Sequence, residues 1–186
     1  MAADEMPLDP AEYREAIAHF ATGVTVVTTV VEGRPVGMTA SAVCSVSLDP
    51  VLLLVCINNQ LTTHQALEQS RRFAVNVLAE GHEELARRFA THGPDKFAGV
   101  DLQQGQELPV LSDAMACFLC DVHERFPGGD HSIYIGRVTD CAYVPGRKPL
   151  LYFKSSFGKI EDPESYLLHD LAAWERFSWP ESERSG

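Results

Sequence analysis

Short apolar runs that alternate with polar residues fill most of this chain, and such runs are typical of β-strands. Residues 24–31, VTVVTTVV, are rich in β-branched side chains and predict a strand, which the turn over residues 32–35 joins to the next strand as a hairpin. Asp49 and Pro50 predict a turn between extended runs at 37–48 and 51–56. Further strands are predicted over residues 73–78, 114–123, 133–144 and 150–153.

Helical spacing occurs in only a few places. Asp9 can cap a helix with Pro10 at its first position, and Tyr13, Ile17 and Phe20 recur at helical spacing before a predicted end at residues 22–23. Further helices are predicted over residues 62–70, capped by Thr62 or Thr63, over 83–90 and over 164–174.

The remaining connections indicate an antiparallel arrangement. Residues 57–60 and 101–112 are polar and predict surface loops, and residues 124–132 predict the loop between two paired strands. Because no regular long helices separate the strands, a parallel sheet of β-α-β units is not expected. Several antiparallel strands with few helices predict a small barrel instead.

Length and charge limit the functional classes. The 186 residues suit one domain with a substantial core, and 26 acidic against 15 basic residues give a net charge of −11. That charge argues against nucleic acid or an anionic membrane as the main partner, so local donors must bind any phosphate-bearing ligand. No apolar run of about 18 residues and no signal peptide are present, and the odd number of cysteines predicts reduced thiols in the cytoplasm.

Familiar catalytic and metal motifs are missing. No G-x-G-x-x-G follows a predicted strand, and no G-x-S-x-G is present. Cys117 and Cys120 have C-x-x-C spacing, but in a strand they point to opposite faces, and no second Cys/His pair has metal spacing. No metal site is therefore expected.

Two features are candidates for ligand binding. Thr39, Ala40, Ser41, Ala42, Cys44, Ser45 and Ser47 are all small. Small residues allow a flat ligand to approach the backbone, although an ordinary strand with a Ser/Val face is the alternative. His131 follows two glycines and an aspartate at the start of a strand, where functional loops are common; a hairpin loop with an incidental histidine is the alternative.

Seven segments carry a resemblance to a known family. They are ATGVTVVTT (21–29), GMTAS (37–41), SVSLDP (45–50), FAVNVL (73–78), DKFAGV (95–100), GDH (129–131) and PLLYF (149–153). In this order they resemble the short-chain flavin reductase family, the reductase components of two-component flavin-dependent monooxygenases. Ala42 and Val43 stand where members often carry Ser and Phe, and Lys154-Ser155-Ser156 stands where many carry Arg-Gly.

The resemblance implies a fold and an assembly. The fold is a mainly β, flavin-binding split β-barrel, antiparallel and Greek-key-like, with a few short peripheral helices. Residues 1–186 form one domain, with a core over about 20–160 and a C-terminal helical tail over 161–186. The family also implies a homodimer with the flavin near its interface.

The resemblance also implies an activity. The enzyme reduces FAD, or alternatively FMN, with NADH and releases the reduced flavin to a separate flavin-dependent monooxygenase; NADPH is a less favoured donor. A non-catalytic flavin-binding electron carrier or sensor is the alternative, and an oxidase of a pyridoxine-like phosphate is a third possibility. The Gly129-Asp130-His131 loop favours the reductase, because a carrier needs no nucleotide loop, and a phosphate-ester oxidase needs a denser basic cluster.

Carried over residue by residue, the resemblance implies a set of binding residues. Those lining the flavin are Met38, Thr39, Ala40, Ser41, Ala42 and Ser45. Cys56, Ile57 and Asn58 meet the isoalloxazine edge through the backbone, Thr62 and Thr63 bind phosphate, and Arg88 and Phe89 lie on the ribityl or adenine side. The residues implied for the nicotinamide nucleotide are Gly129, Asp130, His131, Tyr152, Phe153 and Lys154, with His131 as the catalytic residue.

Overall fold

A computed structural model describes residues 8–93 and 95–160 of the chain. The helices are α1 (Pro10–Ile17), α2 (Thr62–Ser70) and α3 (Glu83–Ala90). The strands are β1 (Thr22–Gly23), β2 (Thr25–Val31), β3 (Arg34–Ala40), β4 (Val43–Leu48), β5 (Val51–Asn58), β6 (Arg72–Val77), β7 (Ala116–Gly128), β8 (His131–Tyr143), β9 (Leu151–Phe153) and β10 (Ser156–Gly158). The predicted helix over 164–174 and the tail over 161–186 lie outside the described residues.

Seven strands form one antiparallel sheet in the order β3-β2-β6-β7-β8-β5-β4. Its two edges, β3 and β4, are consecutive in the chain and are joined only by Ser41 and Ala42. A two-residue link can join opposite edges only if the sheet curls until they meet, so the sheet forms a barrel that is open along one seam. The fold class predicted from the sequence, a mainly β split barrel, is therefore confirmed.

The link between the edges is a tight turn. The amide of Val43 donates to the carbonyl of Ser41 at 3.0 Å, and the amide of Cys56 on β5 donates to the carbonyl of Ala42 at 3.0 Å. The prediction of a single strand over residues 37–48 is therefore wrong. The chain turns at Ser41 and Ala42 so that β3 pairs with β2 and β4 pairs with β5.

Both faces of β2 are buried, because cores lie on both of its sides. Successive side chains of a strand point to opposite faces. Val27 joins the cluster inside the barrel with Phe73 and Tyr134, whereas Val26 joins a second cluster with Phe89. The second cluster lies between the barrel and α3, which packs on β3, and it therefore fixes the helix beside that edge of the sheet.

Some local predictions are confirmed within a residue or two. Helix α3 has the predicted bounds, with Ala86 and Phe89 fully buried. Helix α1 begins as predicted, since the Asp9 carboxylate accepts a hydrogen bond from the amide of Ala11 at 2.9 Å. It ends earlier than predicted, however, and its apolar residues Tyr13 and Ile17 are exposed.

Other predictions are corrected. Residues 124–132 are not a long loop, because β7 and β8 continue to a tight turn at Gly129 and Asp130, where Gly129 has φ +71°. The 101–112 segment is not wholly a surface loop, since Leu108, Val110 and Leu111 are buried. Neither Thr62 nor Thr63 caps α2.

The residue at the N-cap of α2 is Leu61, which makes no side-chain capping bond. The short strands β1 and β10 were not predicted, and both pair with β9 in a separate three-stranded sheet.

Candidate functional site

Two adjoining cavities lie on either side of β3 and α3. The larger is a cleft of about 680 Å³ and the smaller a cavity of about 400 Å³, and both are lined by Thr39 and Ala90. The hydroxyl of Thr39 donates to the carbonyl of Ala86 at 2.6 Å, which ties β3 to α3 at the boundary between them. We refer to these as the large cleft and the small cavity.

The large cleft combines an apolar floor with polar walls. Val24, Ala86 and the ring of Phe157 form apolar surface. The polar groups come from Thr39, Ser41, Glu83, Arg87, Tyr152, Ser155 and Ser156. Flat heteroaromatic ligands suit such a site, because their faces pack on apolar surface while hydroxyl groups bond to their polar edges.

The hairpin between β9 and β10 forms one wall of this cleft. Lys154 and Ser155 both have positive φ, +46° and +59°, a conformation that glycine usually supplies in a two-residue hairpin turn. The amide of Lys154 donates to the carbonyl of Ala18 at 2.9 Å, so the segment after α1 supports the turn. Residues other than glycine whose backbone is held in this energetically unfavourable conformation often occur at functional sites.

The small cavity brings together several residues expected to bind flavin. Met38, Thr39, Thr62, Thr63 and Phe89 all line it. The first turn of α2 opens into it, and the unpaired N–H groups at a helix start favour anions. Of these residues, the resemblance implied phosphate binding only for Thr62 and Thr63.

Lys96 also lines the small cavity, and the sequence reasoning did not select it. Its ammonium donates to the carbonyls of Gly37 at 3.2 Å and Phe89 at 3.1 Å. Burial lowers the pKa of Lys96, and no carboxylate among the described residues lies within ion-pair distance of it. A partly desolvated cation without an acidic partner is a suitable group for binding an anion.

Gly37 is required where β3 passes Phe89. A Cβ atom at this position would lie 2.9 Å from Cε1 of Phe89 and 3.2 Å from Cζ of Phe97. The rings of Phe89 and Phe97 pack edge to face with their centroids 4.9 Å apart. The missing side chain therefore lets β3 lie close to Phe89 of α3 beside the small cavity.

Most of the other residues implied for the flavin ring do not line these cavities. Ser41 lines the large cleft, but neither cavity is lined by Ala40, Ala42, Ser45, Cys56, Ile57 or Asn58. Ala40 and Ile57 are buried in the barrel core, so they can present only backbone to a ligand. Burial also raises the pKa of the Cys56 thiol. The Cys56 amide is already bonded to Ala42, and the Asn58 side chain accepts from the amide of Gln60 at 2.9 Å. Ser45 is exposed on β4.

His131 lies at the tip of the β7–β8 hairpin, away from the walls of both cavities. Its Nδ1 atom is 2.7 Å from Oδ1 of Asp130, and this contact lowers the pKa of the Asp130 carboxyl. The imidazole is partly exposed. In this arrangement a ligand would have to extend beyond the cavities to reach His131.

The two arginines of α3 are placed differently. Arg88 donates to the carbonyl of Ala98 at 2.9 Å and does not line either cavity. Arg87 lines the large cleft, with its guanidinium carbon 4.9 Å from the centroid of the Phe157 ring. Glu83, four residues earlier on the same helical face, also lines the cleft.

Membrane-spanning helices and metal sites are both absent from the described residues. Over residues 8–93 and 95–160 no helix combines the length and apolar character needed to cross a membrane. Within the same residues no group of three or more His, Cys, Asp or Glu side chains is placed to hold a metal ion.

Comparison with known proteins defines the class to which this fold and site belong. Residues 17–161 match the family described as "Flavin reductase like domain", and the chain belongs to this family.

The relatives define it further. The chain is 43% identical over 152 residues to the reductase component of 4-nitrophenol 4-monooxygenase/4-nitrocatechol 2-monooxygenase from Rhodococcus opacus, covering 82% of each chain. It is 40% identical over 160 residues to an NADH-dependent FAD reductase from Streptomyces globisporus, covering 83% of this chain and 87% of that one.

A solved structure of a flavin reductase is also similar to this chain. The Streptomyces globisporus NADH:FAD oxidoreductase SgcE6, in complex with NAD and FAD fragments, superposes with a TM-score of 0.79 at 37% identity, covering 86% of this chain and 99% of that one.

Proposed function

We propose that this protein is an NADH-dependent FAD reductase that supplies reduced flavin to a separate flavin-dependent monooxygenase. The observation that carries the proposal is the pair of adjoining cavities that share Thr39, in a chain of the flavin reductase family. Two neighbouring binding spaces suit a reaction between two nucleotide cofactors, whereas a simple electron carrier needs only one.

The residues present fit a flavin nucleotide. A flat ring can lie against the small residues of the β3–β4 link, and its phosphates need cationic or N–H donors because the net charge of −11 repels them. Lys96 and the first turn of α2 supply such donors in the small cavity, and Arg87 supplies a guanidinium in the large cleft. Serine hydroxyls and backbone groups supply the remaining polar partners.

We assign the binding roles accordingly. The flavin ring lies along the residues Met38, Thr39, Ala40, Ser41, Ala42 and Ser45, near the backbone of Cys56, Ile57 and Asn58. Thr62, Thr63 and Lys96 hold phosphate, with Phe89 beside them. Arg87 replaces Arg88 as the arginine of the site and binds phosphate from the large cleft. The nicotinamide nucleotide is held by Tyr152, Phe153, Lys154 and the hairpin tip Gly129, Asp130 and His131.

The chemistry belongs to the cofactors. Bound flavin accepts a hydride from NADH, and the protein contributes binding and orientation. The role of this chain's residues is therefore to hold two ring systems in order, to shield one face of each from water and to neutralise phosphate charge. In this proposal His131 contacts the nicotinamide nucleotide and is the catalytic residue of the protein.

The flavin is a substrate that leaves after reduction. No dinucleotide-binding glycine motif grips its adenine end, and the large cleft is open to solvent. A separate monooxygenase then captures the reduced flavin. The five cysteines are all free thiols, which agrees with a cytoplasmic location.

We also propose that the protein is a homodimer. Strand β4 is an edge of the sheet, and its apolar residues Val46 and Leu48 are 47% and 85% exposed. Exposed apolar side chains on an unpaired edge favour association with another copy. The site-forming link lies directly beside this edge, so the partner would also shield bound flavin.

The deciding experiment is aerobic oxidation of NADH by the purified protein with FAD, with FMN and without flavin. We expect rapid oxidation that depends on added flavin and is faster with FAD. Binding of flavin without NADH oxidation would instead identify a carrier or sensor. If NADH is consumed no faster with the protein than without it under every flavin, the reductase function is wrong.

A further inference from the structure

We infer that Asn59 is a positioning residue that fixes the hairpin tip carrying His131 against the start of α2. This inference rests on the proposed function, because it gives the tip a role in binding NADH. Asn59 follows the last residue of β5 and is not one of the residues assigned to the flavin or the nucleotide.

Asn59 bonds to the tip on three sides. Its amide N–H donates to the carbonyl of Asp130 at 3.0 Å, and its Nδ2 donates to the carbonyl of Gly129 at 3.3 Å. Its Oδ1 accepts from the hydroxyl of Ser132 at 2.8 Å. These partners flank His131 in the sequence, so Asn59 holds the backbone before the imidazole and the side chain of Ser132 after it.

The three hydrogen bonds of Asn59 form a clamp on the tip, and Ser132 connects this clamp to α2. A serine hydroxyl has one proton, and here it is given to Asn59. Ser132 Oγ must therefore accept from Nε2 of His64, 3.1 Å away, so that nitrogen carries a proton. His64 lies in the first turns of α2, two residues after Thr62, and the tip is thereby connected to the helix that borders the small cavity.

A second connection supports the same hairpin one helical turn further on. The hydroxyl of Tyr134 on β8 donates to Oε1 of Glu68 at 2.7 Å, and Oε2 of Glu68 lies 3.1 Å from a guanidinium nitrogen of Arg125 on β7. His64 and Glu68 are four residues apart and face the hairpin together. The hairpin is also paired with β5 as far as His131, opposite Asn58, so the bonds of Asn59 act on the turn just beyond that ladder.

Asparagine suits this position because it offers a donor and an acceptor on one short side chain. In Asn59→Asp the acceptor for Ser132 is kept, but a carboxylate oxygen then faces the carbonyl of Gly129 without a proton. In Asn59→Ala both side-chain bonds are lost and the backbone bond to Asp130 is retained. The two variants therefore separate the loss of one bond from the loss of both.

The kinetic consequence follows from the position of the clamp. Loss of two side-chain hydrogen bonds lets the tip move, so Asn59→Ala should raise the KM for NADH about tenfold. The KM for FAD should change by less than about twofold, because no flavin-binding group is altered. In a His131→Ala background the same substitution should add little, since it acts through the tip.

The test combines these kinetics with amide hydrogen exchange of the flavin-free full chain. We expect Asn59→Ala and, less strongly, Asn59→Asp to speed exchange at residues 129–132 without changing the melting temperature. Gln60→Ala is the matched control, because that neighbour is exposed and uses only its backbone N–H here.

Two results would overturn the inference: unchanged exchange at the tip in Asn59→Ala, or effects of Asn59→Ala and His131→Ala on NADH that simply add. Exchange is measured without either cofactor. A wild-type protein that cannot oxidise NADH would therefore reject the proposed function separately.

Discussion

The guanidinium of Arg87 lies over the ring of Phe157, with 4.9 Å between its central carbon and the ring centroid. The contact joins α3 to β10 across the large cleft. No carboxylate of the described residues lies within ion-pair distance of Arg87. The aromatic ring thus orients a cation whose charge remains available to a ligand.

Arg87→Ala should raise the KM for FAD about tenfold, the effect of losing one charge-assisted hydrogen bond to phosphate. Steady-state kinetics with varied FAD measures this change. Arg88→Ala is the discriminating variant, because its guanidinium is engaged by the carbonyl of Ala98 outside the cleft. If Arg88→Ala has the larger effect, the assignment of Arg87 is wrong and the sequence-based choice was right.

Lys96→Met should reduce the preference for phosphorylated flavins. Without its ammonium the small cavity loses its cation, so the KM for FAD should rise about tenfold while the KM for riboflavin, which has no phosphate, stays within about twofold. Lys96→Arg should retain most of the preference. Lys159→Met is the matched control, since that lysine pairs with Glu80 outside both cavities. Equal losses with FAD and riboflavin would show that Lys96 only supports β3.

The wild-type protein should scatter light with about twice the 20.5 kDa chain mass. Leu48→Asp should shift it to monomer, because a carboxylate would replace an apolar group in the proposed contact. Ile17→Asp tests a second exposed apolar set, on α1. A monomeric wild type contradicts the dimer, and dissociation by Ile17→Asp alone would move the interface to α1.

His82 should make the protein less stable at mildly acidic pH. Burial lowers its pKa from the ordinary 6.5, with smaller effects of Asp113, Arg147 and Glu83, and its Nδ1 accepts from the amide of Ala79 at 3.3 Å. As pH falls through 6.5, the unfolded chain binds a proton that the folded protein does not, so stability decreases until the folded pKa is reached.

The measurement is the melting temperature of wild type and His82→Asn between about pH 8 and pH 5. The variant cannot titrate at this position, so its melting temperature should fall less on acidification. Parallel curves for the two proteins would exclude His82 as the cause.

The sequence predicted those elements whose signal is local. β2 and α3 were predicted closely because β-branched residues and helical spacing act within a few residues. The break at Ser41 and Ala42 was not predictable, because small residues suit a continuous strand equally well and only barrel closure requires a turn there. The outer part of the β7–β8 hairpin was missed because its exposed residues lack apolar alternation.

The candidate site was predicted in part for a similar reason. Thr39, Thr62, Thr63 and Phe89 were selected together, and they do line one cavity. The choice between Arg87 and Arg88 depends on which face of α3 meets the cleft, and neighbouring positions on a helix point about 100° apart. Lys96 lies beyond the end of α3, in a segment without a regular pattern. Only its tertiary contacts with Gly37 and Phe89 bring it to the cavity.

The two-residue link between the sheet edges also bears on the order of folding. The hairpins β2–β3, β4–β5 and β7–β8 are local, so each can form early at little loop-closure cost. The seven-stranded sheet is complete only when β6 pairs with β2 and β7, and β8 pairs with β5. Ser41 and Ala42 join two of the early hairpins, so the binding surface is assembled in the final long-range step. A chain in which these long-range pairings have not formed therefore lacks the assembled binding surface.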